Sequence, residues 1–174
     1  MNIILCGLPM SGKTVIGKHV ANKLGKEFID VDDLIILLYK QKKNKSYSCR
    51  EIFLEEGEEY FRQMEKDAVE SLVDQKGVVI ALGGGTLTST NSVELLRQWG
   101  TIIYLKASPD TIWSRICLRG IPPYVKERES FNALIEKRIP VYENAAHHTI
   151  ETEQQAEEEV AMAVINKWNV TDGE

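Results

Sequence analysis

A chain of 174 residues with 43% apolar and 27% charged residues has the make-up of a globular protein able to bury its own core. Its formal net charge of −5, without a basic stripe, leaves no footprint for nucleic acid, and no apolar run approaches the roughly 20 residues that cross a bilayer. Cys6, Cys49 and Cys117 show neither metal spacing nor a disulfide framework, which fits a reducing compartment. The expectation is a single cytoplasmic domain over 1–174, monomeric, with no leader and with neither nucleic acid nor membrane as partner.

In chain order, Asn2–Cys6 is an apolar run that reads as a buried strand, and Lys13–Leu24 carries Val15, Ile16, Val20, Ala21 and Leu24 at helical spacing. Between them stands Gly7-Leu8-Pro9-Met10-Ser11-Gly12-Lys13-Thr14, which fits G-x-x-x-x-G-K-[ST]. Strand, glycine loop and helix start follow one another directly, so backbone N–H groups and the helix N-terminus converge on an anion. Gly7 and Gly12 free the backbone, Lys13 can reach terminal phosphates, and the Thr14 hydroxyl can bind a magnesium ion. A phosphate site is the reading; a glycine turn with a chance Lys-Thr pair is the weaker alternative.

Gly25 stops that helix, and 27–31 forms a second strand candidate. Asp30 and Asp32, two apart in extended chain, face one side and would point at magnesium or a substrate hydroxyl. The competing explanation is a pair of acids at a helix N-terminus, with Asp32 or Asp33 capping a helix over 34–39. The basic run 40–45 reads as a solvated loop. Ser48 caps a helix over 49–55 with Glu51 as capping-box partner, Gly57 interrupts, and 58–73 continues with Phe61, Met64, Ala68, Val69 and Leu72 at helical spacing. Arg62 and Glu65, three apart, read as a surface ion pair.

The apolar run 78–82 has the look of a central parallel strand and leads into Gly83-Gly84-Gly85-Thr86. Three glycines are entropically costly and point to a backbone that something approaches closely, with a flexible turn as the alternative. A helix over 91–99 and a strand over 101–106 follow. Ser108 and Pro109 open a helix that carries Arg115 and Arg119 on one side. Gly120-Ile121-Pro122-Pro123 ends it, and 124–130 is a loop of the length of a mobile lid. A helix from about Phe131 ends near Pro140, with 141–146 as a further turn; 148–151 is a weak fifth strand and 156–168 a last helix. His19, His147 and His148 show no ligand pattern. Strands alternating with helices imply an α/β fold with a parallel sheet covered on both faces, and ligands in such folds sit at the carboxyl ends of strands. The phosphate loop, the Asp30/Asp32 pair and the glycine triplet all occupy such ends, so one cleft is expected.

Across nearly its whole length the chain resembles the shikimate kinases. Arg62-x-x-Glu65, then Val69, then Val79-Ile80-Ala81-x-Gly83-Gly84-Gly85-x-Leu87 look like the family signature. The run Phe28-Ile29-Asp30-Val31-Asp32 resembles the family's Asp-x-Asp element, and Lys137-Arg138-x-Pro140-x-Tyr142 its segment after the lid. The resemblance implies a P-loop kinase fold, a three-layer α/β/α arrangement with a five-stranded parallel sheet and a mobile lid near 119–130. It implies ATP-dependent phosphorylation of the 3-hydroxyl of shikimate, a step of aromatic amino-acid biosynthesis, with ATP and Mg2+ required.

By the same resemblance Leu8, Pro9, Met10, Ser11, Gly12, Lys13, Thr14, Val15 and Arg115 contact the nucleotide, and residues 152–154 lie near adenine. Thr14 and, through water, Asp30 attend the metal. Asp32 binds shikimate hydroxyls, Arg62 and Arg138 grip its carboxylate, and Gly83, Gly84 and Gly85 close over its ring. Lys13, Asp32 and Arg119 form the implied catalytic set. One departure stands out: Ile121-Pro122 occupies the place of the family's lid Arg-Pro pair, leaving Arg119, or less directly Arg128, to supply a lid cation. Two other readings remain at this level. One is a related kinase acting on gluconate or a nucleoside monophosphate; the other is a nucleotide-binding module without catalysis.

Overall fold

Residues 1–88 and 90–172 are described by a computed structural model, in which strands and helices alternate around one parallel sheet. Strand β1 (Asn2–Cys6) is buried along its length and lies between β3 (Val79–Ala81) and β4 (Gly100–Lys106). Outside these, β2 (Phe28–Asp30) pairs with β3 and β5 (His148–Glu151) with β4, giving the order β2-β3-β1-β4-β5. In register, Ile4 stands beside Ile80 on one side and Ile102 on the other.

The unbroken apolar runs follow from what covers this sheet. Ile3, Leu5, Val79, Ile103 and Leu105 enter one layer, against Ile16 and Val20 of α1 (Lys13–Leu24) and Val160 and Val164 of α7 (Glu157–Asp172). Ile4, Cys6, Ile80, Ile102 and Tyr104 enter the other. There α2 (Val31–Lys43), α3 (Cys49–Glu70), α4 (Thr90–Trp99), α5 (Pro109–Arg119) and α6 (Arg128–Ala145) supply Ile35, Met64, Leu96, Ile112 and Phe131. Burial on both faces removes the polar–apolar alternation of a one-sided sheet. The result is the three-layer α/β/α arrangement.

Several element ends differ from the sequence expectation. Asp30, rather than Asp32 or Asp33, caps α2: its carboxylate accepts from the Asp32 N–H at 3.0 Å. Asp30 closes β2 while Asp32 stands in the first helical turn, so the two converge through a strand-to-helix step and not by alternation along one strand. The basic run is not a loop, because α2 extends to Lys43, placing cations where the helix dipole favours them. Lys42 and Lys43 then reach Asp67 at 2.6 Å and Glu56 at 3.3 Å on α3. As expected, Gly57 interrupts α3, its φ of 87° and ψ of 172° making a kink between two helical stretches, and the Ser48–Glu51 capping box opens the first.

Helix α6 passes straight through Pro140 to Ala145. The proline removes one bond to the carbonyl of Glu136, an exposed position, while Phe131, Ile135, Arg138, Tyr142 and Ala145 bury a continuous face. Packing outweighs the lost bond. Because α5 runs to Arg119 and α6 begins at Arg128, the connecting segment is 120–127.

Candidate active site

Since β1, β3 and β2 are adjacent and parallel, their carboxyl ends bring the phosphate loop, the Asp30–Asp32 corner and the glycine triplet to one rim. Residues 9–16, Asp30, Asp32, Gly84 and Gly85, but not Gly83, line a cavity of about 700 Å³, closed further by α3, Arg138 of α6, the 120–124 segment and the start of α7.

In the loop, Gly12 takes φ 97° and precedes α1 with no side chain capping its first turn. Residues 9–15 line the cavity beside these helix N-terminal donors. Leu8 differs: its side chain is buried in the core, and only its carbonyl serves the loop. Lys13 Nζ donates to the carbonyls of Gly7 at 3.1 Å and Leu8 at 2.8 Å. Burial pulls the Lys13 ammonium below its ordinary pKa, with Asp32 acting against that pull. Arg115 reaches across from α5 and donates to the Met10 carbonyl at 2.9 Å, bracing the loop. Thr14 Oγ1 donates to Asp30 Oδ2 at 2.7 Å, so a hydroxyl and a carboxylate meet at the loop's edge. Asp32 is an exposed residue, yet its carboxyl turns inward towards Gly83. Crowding by protein atoms, and then the Asp30 charge, push its pKa up to about 6, while Lys13 works in the opposite direction.

The glycine triplet explains itself through its neighbours. A Cβ on Gly85 would stand 2.0 Å from Arg62 Nη1, and one on Gly84 3.2 Å from Arg138 Nη1. On Gly83 it would stand 3.0 Å from both Asp32 Oδ1 and Glu65 Oε1. The three glycines are bare so that charged side chains can lie directly on their backbone. Arg62 pairs with Glu65 at 2.5 Å and with Glu58 at 3.3 Å. The Glu65 side chain is only 5% exposed, so this is not the surface pair its spacing suggests. The missed signal was positional: Glu65 falls on the buried stripe of Phe61, Met64 and Ala68. Burial alone would lower the Arg62 pKa, but Glu65 and Glu58 overrule it and hold the guanidinium above its ordinary value.

Arg138 is buried, its Nη1 has no hydrogen-bond partner, and its guanidinium stacks on the Tyr124 ring at 5.3 Å. Beside it, the Tyr142 hydroxyl donates to the Gly84 carbonyl at 2.6 Å and fixes the triplet to α6. A buried guanidinium with a free N–H is costly unless an anion completes it. Of the two arginines expected near the lid, Arg119 lines the cavity. Arg128 is turned to Asp110 and packs over Trp113 and Phe131. On the α7 side, Thr152 lines the cavity together with Gln155 and Glu157. Cys49, Arg50, Phe53, Phe61 and Tyr124 also form its wall and were not foreseen; Phe61, for one, reads as core because it is apolar at helical spacing. The arrangement offers one half suited to a polyphosphate and another suited to a small hydroxylated anion.

A family model described as shikimate kinase matches residues 9–169. The shikimate kinase of Caldanaerobacter subterraneus subsp. tengcongensis is 39% identical over 170 residues, spanning 96% of this chain and 95% of that protein. Among solved structures, a shikimate kinase from Acinetobacter baumannii in complex with shikimate aligns with a TM-score of 0.84 and 32% identity, over 99% of this chain and 93% of that one. A gluconokinase from Sinorhizobium meliloti 1021 aligns over 98% and 92% with a TM-score of 0.61 but only 14% identity, a likeness of fold alone. With the family model and the relative both spanning nearly the full length, this chain belongs to the shikimate kinase family.

Proposed function

We propose that this chain transfers the γ-phosphoryl group of ATP to the 3-hydroxyl of shikimate. The observation that carries the reading is the placement of Arg62 and Arg138 on the backbone of Gly85 and Gly84, opposite the phosphate loop in one cavity. Two guanidiniums on one side of a small pocket suit a carboxylate, which arginine binds bidentately and lysine cannot. Asp32, ionised at neutral pH, accepts from the substrate hydroxyls and aims one of them, acting as an orienting group rather than a strong base. Lys13 exchanges the Gly7 and Leu8 carbonyls for the terminal phosphates, and Arg115 keeps the loop in shape. Arg119 approaches the transferring group from the lid end of the cavity.

Thr14 and Asp30 present two hard oxygen donors 2.7 Å apart, a set that suits Mg2+, which takes one or two protein oxygens and keeps several waters. Bound there, the ion would neutralise charge on the phosphates during transfer. Lys13, Asp32, Arg62, Arg119 and Arg138 line one cavity within a single chain, which supports the reading of a single-domain monomer with a lid. A gluconate or nucleoside monophosphate kinase has no need of two arginines on the triplet. A module without catalysis has no need of Lys13, Asp30 and Asp32 beside them.

Purified protein with ATP, Mg2+ and shikimate should yield ADP and shikimate 3-phosphate in equal amounts. Gluconate and nucleoside monophosphates should remain unchanged. Turnover of either of these, with shikimate untouched, would overturn the reading.

A further inference from the structure

Arg50 stands in the first turn of α3, two residues after the Ser48 cap, and lines the cavity. Its Nη1 donates to the backbone carbonyl of Ile121, 71 residues along the chain. Among the described residues it makes no ion pair and stacks on no ring. An exposed carbonyl would lose little by facing water, so this bond adds little to stability. What it does is join α3 to the 120–127 segment across the mouth of the cavity.

That segment is poorly equipped to hold itself in place. Pro122 and Pro123 carry no N–H, and the Val125 N–H is used within the segment, on the Pro122 carbonyl at 2.9 Å. Beyond them Val125 is buried in the core and the Lys126 and Glu127 N–H groups donate to Ser130 Oγ at 3.0 Å, so residues 121–124 are the stretch that donors and rings from outside must hold. Arg50 supplies the donor at Ile121, and Phe53 meets the Tyr124 ring edge-on at 5.8 Å. The same Tyr124 ring carries the Arg138 guanidinium at 5.3 Å. One stretch of α3 thus fastens the segment at two points, directly over the pocket's buried cation.

We propose that Arg50 is a positioning residue for the reaction, the catch that holds residues 120–124 over the substrate half of the cavity. The inference rests on the shikimate-phosphorylating reading above. Its consequence is chemical, because a cover that stays shut keeps water from the transferable phosphoryl group. With the catch released, the segment still folds and substrates still bind, but closure is less often complete.

The test uses the full chain with Arg50→Ala and Arg50→Lys. Arg50→Ala should lower kcat about tenfold, leave the KM for ATP within about twofold, and raise the ADP released per shikimate 3-phosphate above one. It should also speed tryptic cleavage at Arg119–Gly120 and Lys126–Glu127 about threefold or more, with the urea midpoint unchanged. Arg50→Lys, which keeps a donor for the Ile121 carbonyl, should recover part of both losses. Wild-type kcat, coupling and cleavage rate in Arg50→Ala would overturn the proposal. So would a loss of kcat that tracks a fallen urea midpoint and is not relieved by lysine, since Arg50 would then merely support α3. The cleavage comparison needs no substrate. If the wild-type protein left shikimate untouched, the proposed function would fall while cleavage still decided whether Arg50 is the catch.

Discussion

Gly85 contributes by what it lacks. Any side chain there would occupy the place of the Arg62 guanidinium, since its Cβ would lie 2.0 Å from Nη1. In Gly85→Ala, Arg62 must leave, and Glu65, whose side chain is 5% exposed, loses its partner. We expect kcat/KM for shikimate to fall about 100-fold, equivalent to about 3 kcal/mol of transition-state stabilisation, with the KM for ATP changed less than about twofold. Steady-state kinetics with each substrate varied in turn will show the split. An equal loss for ATP would mean that the triplet supports the whole cleft rather than the anion site. This role was half legible in the sequence. Three glycines in a row announced a close approach, but which side chains approach depends on α3 and α6 folding back over β3.

At the scale of elements, the start of β5 shows how a side chain can extend a sheet. The His147 N–H donates to the Ile102 carbonyl at 2.8 Å, and the Ile102 N–H donates back to His147 Nδ1 at 2.9 Å. The imidazole completes the ladder beside β4 one residue before β5 begins. Burial first, and the Arg97 charge second, hold the His147 pKa below its ordinary value. The neighbouring His148 is shifted the same way by burial and Lys167. A proton on Nδ1 would set a donor against the Ile102 N–H. As pH falls below the ordinary histidine range of about 6.5, the unfolded chain takes up protons that the folded chain refuses, so stability declines. For His147 alone the slope stays under about 1.4 kcal/mol per pH unit, and partial exposure reduces it further. Urea midpoints at pH 7.5 and 5.5 should therefore fall more steeply for the wild type than for His147→Asn, which keeps an acceptor without titrating. Identical slopes would show that the ring does not matter to the strand. The sequence showed only that His147 precedes a weak strand over 148–151 and has no ligand pattern, because neither local pattern nor spacing reports a bond to a residue 45 positions away.

At the scale of the molecule, one cavity is lined by the loop and α1 and also by α3 and α6, so we expect ATP and shikimate to bind at separable places in it. Ligands that bind only the folded chain raise its melting temperature, by about 2.7 kcal/mol of stability at 100 times the Kd. Lys13→Ala should abolish most of the shift given by ATP with Mg2+ and leave the shift given by shikimate. Loss of both shifts in a calorimetric scan would show that the halves form only together. The sequence by itself determined the strand–loop–helix unit around residues 7–14, the succession of helices and strands, and the Ser48, Ser108 and Gly25 boundaries. Those features depend on contacts within a few residues and on apolar periodicity, which a linear string records directly. Only the tertiary structure decided that β3 lies between β1 and β2, which turns three separate strand ends into one rim. It also decided that Arg62 pairs with a buried Glu65, that α6 runs through Pro140, and that Arg50 reaches the Ile121 carbonyl. Each of these is settled by packing between segments far apart in the chain, where burial of a shared surface outweighs the local preferences that the sequence displays.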